Sequence, residues 1–188
     1  LASLTRVRQL QVNDLAAGTV TGMGRARAAL GVLGTISATI AGQWAIQRLR
    51  RQSRQLLQAE PPAFGPVASV KALYLKSNLM LGVKAGGSIG HIAGVANELL
   101  RLDGGMLVLA PEPPPMVRPE ARFAPIETLR SYGVPAEANH FRFNAPCERA
   151  ADAVLAQEKF GFIYQRLSLG NLSGVLLSRR HQLPLVLE

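Results

Sequence analysis

The chain has 188 residues, of which 48% are hydrophobic, and a formal net charge of +9. These values are typical of one folded domain with an extension, and they exclude a wholly disordered chain. The positive charge favours an anionic partner, either a nucleic acid, a membrane surface or a substrate. We expect no nucleic-acid partner, because aromatic residues are few and none interleave with a run of Lys or Arg.

The cysteine content limits the chemistry further. Cys147 is the only cysteine, so the chain can form neither an internal disulfide nor a zinc-finger site. We interpret Cys147 as a structural or surface residue rather than a nucleophile. A chain without disulfides is typical of a reducing compartment, and we expect a cytoplasmic protein.

The N-terminal residues alternate apolar and basic side chains. Leu4, Val7 and Leu10 recur at helical spacing, which predicts a short amphipathic helix over Leu1 to Val12. Asn13, Asp14 and the glycines that follow end this pattern.

The stretch from Ala28 to Ile46 contains no charged residue, and its length approaches that of a bilayer span. Gly34, Ala38 and Gly42 have the spacing of small residues that lets helices pack closely. Three interpretations stay open: a helix packed on a partner or neighbouring domain, a peripheral membrane contact through 25–54, and a true span. The arginines that flank this stretch are Arg25, Arg27, Arg48, Arg50, Arg51 and Arg54.

A proline-rich segment, Glu60 to Pro66, follows and cannot continue a helix. We place a domain boundary there. The prediction is a helical extension with its linker over 1–66 and a second domain over 67–188.

Apolar runs of strand length alternate with helical patterns through the second domain. This alternation predicts an α/β fold, a Rossmann-like parallel sheet flanked by helices and preceded by the helical extension. The segment from Glu127 to Asn144 is expected to be irregular, and the last strand to be buried. The predicted strands lie in Val70–Leu75, Met106–Ala110, Arg122–Pro125, Phe162–Tyr164 and Leu183–Leu187, and the predicted helices in Ile89–Leu99, Glu148–Lys159 and Asn171–His181.

The glycine-rich loop between the first strand and its helix is typical of an anion site. Gly86 and Gly87 can adopt positive φ and let a ligand approach the backbone, and Lys84 adds a cation. A tight turn that only packs helix on sheet is the alternative. A dinucleotide site, with Glu112 on the ribose, is a weaker alternative because about ten residues separate the strand from the glycines.

Ligands of parallel sheets bind beyond the carboxyl ends of the strands. This rule selects Lys76–Asn78 and Lys84–Gly87 after the first strand, Glu112 after the second, and Gln165, Arg166 and Ser168 after the fourth. Lys76 is an anion-site candidate with a solvated loop charge as the alternative. His91, Arg166 and Asn171 are substrate-binding candidates, and their structural alternatives are a carbonyl hydrogen bond, an ion pair with Glu112 or Glu188, and a helix cap. Glu188 is a candidate ligand carboxylate.

These segments, in their order and spacing, resemble the first domain of retaining glycosyltransferases of family 4, which have the two-domain GT-B architecture. The first block comprises Leu73 to Leu75, Gly86-Gly87, His91 and Met106 to Pro111. The second block comprises Phe162 to Arg166, Asn171, Gly174 and Leu183 to Glu188. The resemblance covers Val67 to Glu188.

The resemblance implies transfer of a sugar from a nucleotide-sugar donor to an unknown carbohydrate or lipid-linked acceptor, with retained anomeric configuration and no metal or other cofactor. It places Gly86, Gly87 and Lys84 at the donor diphosphate and His91, Arg166, Asn171 and Glu188 at the substrates. It also implies that the chain is a fragment, the first half of a GT-B fold. The catalytic residues stay unassigned. A location at the inner face of the membrane is compatible with this interpretation.

A different class of function is the alternative. The chain could be a non-catalytic basic interaction module that docks on a partner or on an anionic membrane. A glycine turn filled by neighbouring side chains, or a sheet that is not parallel, would contradict the proposed anion site.

Overall fold

The computed structural model describes residues 10–14, 19–66, 69–102 and 105–188. Within them the chain forms a small hairpin, a long helix and an α/β domain. The strands are β1 (Leu10–Asp14), β2 (Thr19–Met23), β3 (Ala72–Lys76), β4 (Met106–Ala110), β5 (Arg122–Pro125), β6 (Phe162–Arg166) and β7 (Leu185–Leu187). The helices are α1 (Arg25–Gln58), α2 (Gly87–Leu99), α3 (Ala138–Arg142), α4 (Asn144–Leu155) and α5 (Ser173–His181).

The N-terminal segment differs from the sequence prediction. β1 pairs antiparallel with β2, so the helix expected over Leu1 to Val12 is wrong from Leu10 onward, and residues 1–9 lie outside the described residues. The β-branched run Thr19-Val20-Thr21 supplies a good strand partner, and such residues favour strand over helix. A partner strand that lies further along the chain overrode the local helical spacing.

The five-stranded sheet is parallel throughout, as predicted, with the order β5-β4-β3-β6-β7. β3 and β4 are buried along their whole length, which explains their continuous apolar sequences. The chain progresses outward from β3 to β5 and then returns to place β6 on the other side of β3. The connections therefore diverge between β3 and β6, where sheets of this class form a ligand crevice.

The two faces of the sheet pack against different helices. Leu73 and Leu75 lie in a core with Phe143 of the α3–α4 junction and Leu177 of α5. The intervening residues of β3, including Tyr74, face the other way and pack with α2. This alternation along β3 and β6 decides which polar side chains meet at the strand ends.

The long helix α1 packs on α3 and on the loop that precedes it. A Cβ added to Gly42 would lie 2.9 Å from the Ala138 Cβ, and one added to Gly133 would lie 2.5 Å from the Thr39 nitrogen. The small residues on this face of α1 let the backbones approach, since any larger side chain at Gly42 would collide with α3. The face that carries Gly34, Ala38 and Gly42 therefore packs within the chain.

Three further predictions need correction. The segment expected to be irregular contains α3, and Asn144 begins α4 four residues before the predicted Glu148. β7 is an edge strand whose Val186 and Leu187 are 44% and 47% exposed, so the expected burial of the last strand is wrong. An apolar run alone cannot distinguish a central strand from an edge strand.

Candidate functional site

The candidate site lies at the carboxyl ends of β3 and β6. Lys76 and Arg166 end these two strands and are direct partners in the parallel register. Strand alternation turns Tyr164 and Arg166 of β6 toward α2, and Gln165 toward the opposite face. The strand ends thus divide their polar side chains between the two sides of the sheet.

Glu188 lies at the centre of the group on the α2 side. Its Oε1 lies 2.6 Å from His91 Nε2 and 3.4 Å from an Arg166 guanidinium nitrogen. Its Oε2 accepts a hydrogen bond of 2.9 Å from the Tyr164 hydroxyl. We call His91, Tyr164, Arg166 and Glu188 the Glu188 cluster. Three of the four substrate-binding candidates from the sequence therefore meet at one point. The contact of Arg166 with Glu188 is also the ion pair that we gave as its structural alternative.

The Glu188 cluster is accessible to solvent, and the hydroxyl group of Tyr164 stays protonated. The His91 side chain is 50% exposed and that of Arg166 is 26% exposed. Burial raises the pKa of Tyr164 to about 12, and the hydrogen bond to Glu188 and the charge of that carboxylate add to the shift. The Tyr164 ring stacks on that of Tyr74, with centroids 5.3 Å apart. Tyr164 is therefore a neutral donor at physiological pH.

The N-terminus of α2 lies beside this cluster. An Arg166 guanidinium nitrogen donates to the Ser88 carbonyl at 3.5 Å, at the limit of a hydrogen bond. The amides of Ile89 and Gly90 both turn back to the Gly86 carbonyl, and no side chain among the described residues caps the helix. The amides of Gly87 and Ser88, which precede these two bonded amides, and the positive end of the helix dipole are therefore directed out of the N-terminus.

Of the two glycines expected to allow positive φ, Gly86 adopts it, whereas Gly87 is the first residue of α2 and does not. Gly86 has φ of +129°, a conformation that side chains with a Cβ rarely adopt. An added Cβ at Gly86 or Gly87 would meet no atom within 4 Å. The turn is open rather than filled by neighbouring side chains, so a ligand can reach its backbone.

The two lysines behave differently. Lys84 is exposed in the loop before the glycines. Lys76 is only 3% exposed and donates to the Met80 carbonyl at 3.2 Å. Burial lowers the pKa of the Lys76 amine, against an opposing effect of the Glu112 charge. Lys76 is thus not the solvated loop charge that we gave as the alternative, because it supports the loop from beneath.

Glu112 also stabilises the loop between β3 and the glycine turn. Its Oε1 accepts a hydrogen bond of 2.8 Å from the Gly82 amide. That contact fastens the 77–86 loop to the end of β4. The dinucleotide alternative required the same carboxylate for a ribose, so the structure gives this alternative no support.

Asn171 lies on the other face of the sheet, in a group that we call the buried network: Ser77, Gln165, Asn171 and Ser173. The Asn171 amide donates to the Ser77 carbonyl at 3.2 Å, and its oxygen accepts from the Ser173 amide at 3.0 Å. Gln165 donates to the Ser77 hydroxyl at 2.9 Å and to the Asn171 oxygen at 3.1 Å. Asn171 is 2% exposed, so in this structure it fastens β3, β6 and α5 together instead of facing a ligand.

Sequence reasoning missed one member of the site. The sequence analysis assigns Tyr164 only to a predicted strand, although it lies two residues before Arg166. Period-two alternation places both side chains on the same face, and this signal alone could have added Tyr164 to the candidates.

The site is an open surface rather than an enclosed pocket. The cavity beside Lys76 and Ile89 measures only about 10 Å³. A larger groove of about 420 Å³ lies elsewhere, between α1 and the residues around Phe141 and Leu172. Among the described residues, no group of three or more His, Cys, Asp or Glu side chains could hold a metal ion.

Comparisons with known proteins add little. No protein-family model matches the chain, and no curated protein sequence matches it. Among solved structures, the C-terminal domain of a hydrogenase from Pyrococcus furiosus is similar over 69% of this chain and 100% of that domain. The identity is 13% and the TM-score 0.44. The resemblance to glycosyltransferases therefore stays a prediction from sequence motifs.

Proposed function

We propose that this chain is the acceptor-side domain of a retaining glycosyltransferase that uses a nucleotide-sugar donor. One observation carries the proposal: the Glu188 cluster and the uncapped N-terminus of α2 meet at the point where the sheet connections diverge. The sequence motifs that resemble family 4 contribute His91, Arg166 and Glu188 to that point.

The chemistry of sugar transfer fits these groups. The bond from the anomeric carbon to the diphosphate oxygen breaks, and a bond from that carbon to the acceptor hydroxyl oxygen forms. Negative charge develops on the leaving nucleoside diphosphate, which takes up the proton of the acceptor hydroxyl. The α2 amides at Gly87 and Ser88, together with the Arg166 guanidinium, are suited to stabilise that charge. The Glu188 carboxylate and the His91 imidazole are suited to bind sugar hydroxyl groups near the surface. The carboxylate accepts hydrogen bonds, and the imidazole has one nitrogen that donates and one that accepts.

The resemblance implies that a second domain carries most donor contacts. An open site of the kind seen here is compatible with a second surface closing over it. We therefore expect the 188-residue chain to bind nucleotide sugars without appreciable turnover. Sugar transfer at rates typical of enzymes would contradict this expectation.

A matched pair of glycine variants tests the binding site. Gly87→Val places a branched side chain at the α2 N-terminus, where an added Cβ meets no protein atom within 4 Å. Gly94→Val makes the same change two turns later in the same helix, also in open space. Valine has a higher helix propensity than glycine at either position, so neither change should unfold the helix, and the two variants differ in whether the new side chain obstructs a ligand at the N-terminus.

Calorimetric titration with UDP-sugars and GDP-sugars gives the readout. We expect the wild type and Gly94→Val to bind with the same affinity. Gly87→Val should bind at least about tenfold more weakly, because it loses one charge-assisted hydrogen bond to the ligand. Equal binding by all three would contradict the proposed site. Absence of binding by the wild type at millimolar ligand would favour the basic interaction module instead.

A further inference from the structure

The outward face of α1 carries a continuous apolar surface. Five large side chains on that face are between 50% and 72% exposed. They recur every three or four residues, so they form one line along the helix. We call this surface the outer stripe; it comprises Leu30, Leu33, Ile36, Ile40 and Trp44.

The α/β domain covers the opposite face of α1. Ala38 and Leu49 are 1% and 4% exposed, and Gly42 packs on Ala138 of α3. The outer stripe therefore points away from the domain. Exposed apolar surfaces of this extent mark interaction sites in soluble proteins.

The charge of α1 identifies the kind of partner. The helix contains six arginines and no acidic residue. Helical spacing places Arg51 about two turns beyond Trp44, on the line that the outer stripe follows, and Arg54 is its neighbour about one turn later. Both arginines are exposed. An apolar stripe that ends in arginines, with Trp at the junction, has the composition of a helix that lies in a membrane interface.

We propose that α1 lies flat on the surface of an anionic lipid bilayer. The outer stripe enters the boundary between headgroups and acyl chains, and the arginines contact the anionic headgroups. Clustered Arg and Lys near an anionic leaflet each contribute on the order of 1 kcal/mol of attraction. The proposal is independent of sugar transfer, because it uses no residue of the Glu188 cluster.

A membrane-spanning arrangement fits the structure less well. By length and composition α1 could cross a bilayer, with a mean hydropathy of 1.4 in its most apolar window. A spanning helix would have to release the contacts that Gly42 and Thr39 make with Ala138 and Gly133. A helix that lies on the surface keeps these contacts and buries only the opposite face.

A second copy of the chain is also a weaker candidate. Two α1 helices that packed through their outer stripes would each present Arg51 and Arg54 at one end of the stripe, and α1 contains no acidic residue that could pair with them. Like charges oppose association, whereas an anionic lipid surface neutralises them. Charge complementarity therefore favours the bilayer.

The intrinsic fluorescence of the chain reports the contact directly. Trp44 is the only tryptophan, and it is 72% exposed in the outer stripe. Vesicles of phosphatidylcholine alone are compared with vesicles of phosphatidylcholine and phosphatidylglycerol. On the anionic vesicles we expect a blue shift of Trp44 emission, and at least tenfold stronger binding by co-sedimentation, because several arginines each contribute.

Two variants separate the apolar and the charged parts of the surface. Ile40→Asn is expected to weaken binding to the anionic vesicles at least about fivefold, since it removes one buried aliphatic side chain from the interface. The matched control is Leu57→Asn, which changes an 87% exposed leucine of the same helix outside the outer stripe and should bind as the wild type does. The double variant Arg51→Gln, Arg54→Gln should reduce the preference for anionic vesicles. Circular dichroism with thermal unfolding verifies that each variant folds.

Several results would overturn the proposal. They are an absence of vesicle binding by the folded wild type, equal binding to both vesicle types, or equal losses for Ile40→Asn and Leu57→Asn. A dimer in light scattering that Ile40→Asn abolishes would identify a second copy as the occupant. Protein that resists carbonate extraction from membranes of the producing cells would identify a spanning helix.

Discussion

The buried network and the Glu188 cluster occupy the same edge of the sheet but opposite faces of it. Both contain polar side chains from the end of β6, where Gln165 and Arg166 are adjacent in sequence. Gln165 is 0% exposed and bonds only inward, whereas the Arg166 side chain is 26% exposed beside the α2 N-terminus. Adjacent polar residues at a strand end thus have different roles, because alternation sends one into the core and the other to the surface.

The comparison shows how the edge is built. The buried network fixes the positions of β3, β6 and α5, and a single amide, Asn171, joins all three. The Glu188 cluster uses the resulting frame and leaves its groups accessible to solvent. Disruption of the first group should reduce stability, and disruption of the second should reduce binding with little loss of stability.

The largest expected effect comes from Asn171→Leu. This change leaves the Gln165 amide and the Ser173 donors without their acceptor in a buried site. Buried donors that lose their partner cost about 1–3 kcal/mol each, so we expect a loss of about 3 kcal/mol or more in the free energy of unfolding. Urea unfolding measures it. A loss below about 1 kcal/mol would contradict a structural role for Asn171.

Arg166→Met should have the opposite profile. The side chain pairs with Glu188 near the surface, where such pairs contribute about 0–1 kcal/mol to stability. We expect a loss of free energy of unfolding within that range and a nucleotide-sugar affinity at least about tenfold lower. If Arg166→Met destabilised the chain as strongly as Asn171→Leu, the division of the edge into two roles would be wrong.

The buried amine of Lys76 should make the free energy of unfolding depend on pH. Burial lowers the pKa of its amine in the folded chain, so the unfolded chain binds more protons between the folded-state pKa and the ordinary value of 10.5. Stability should therefore rise with pH across that interval, and Lys76→Met should abolish the rise. Urea unfolding at a series of pH values up to about 10 measures it. An identical pH dependence in the variant would show that this amine is not the cause.

The smallest expected effect concerns the reactivity of the Cys147 thiol. Its thiol lies in the core beside Asn171, and burial raises its pKa to about 12. The thiolate, which is the reactive form, is therefore scarce at pH 8. Iodoacetamide should modify Cys147 slowly in the folded wild type and much faster in urea or in Asn171→Leu. Rapid modification of the folded wild type would show that the buried network is open to solvent.

Local patterns predicted much of the fold. The bounds of β4 and β5 agree with the predicted Met106–Ala110 and Arg122–Pro125, and the sheet is parallel as the alternation indicated. Apolar runs and glycine positions act over a few residues, so they are visible in one sequence. The β1–β2 hairpin and the exposure of β7 depend on partners elsewhere in the chain, which no local pattern contains.

The candidate site was predictable in part for a similar reason. Arg166 and Glu188 were candidates because each ends a predicted strand, and His91 was a candidate because it lies one turn into the helix after the glycine loop. The structure places the three together. Sequence could not separate an exposed polar residue from a buried one. Asn171 and Lys76 both looked accessible, yet each is at most 3% exposed because a neighbouring loop or helix covers it.

The central claim is that the α2 N-terminus and Arg166 form a site for the diphosphate of a nucleotide sugar. The most direct test is an NMR titration of the ¹⁵N-labelled chain with a UDP-sugar or GDP-sugar at millimolar concentration. We predict that the largest shifts occur at the amides of Gly87 and Ser88 and at the Arg166 side chain, and that Gly87→Val suppresses them. Shifts confined to another surface, or no shifts at any concentration, would contradict the claim.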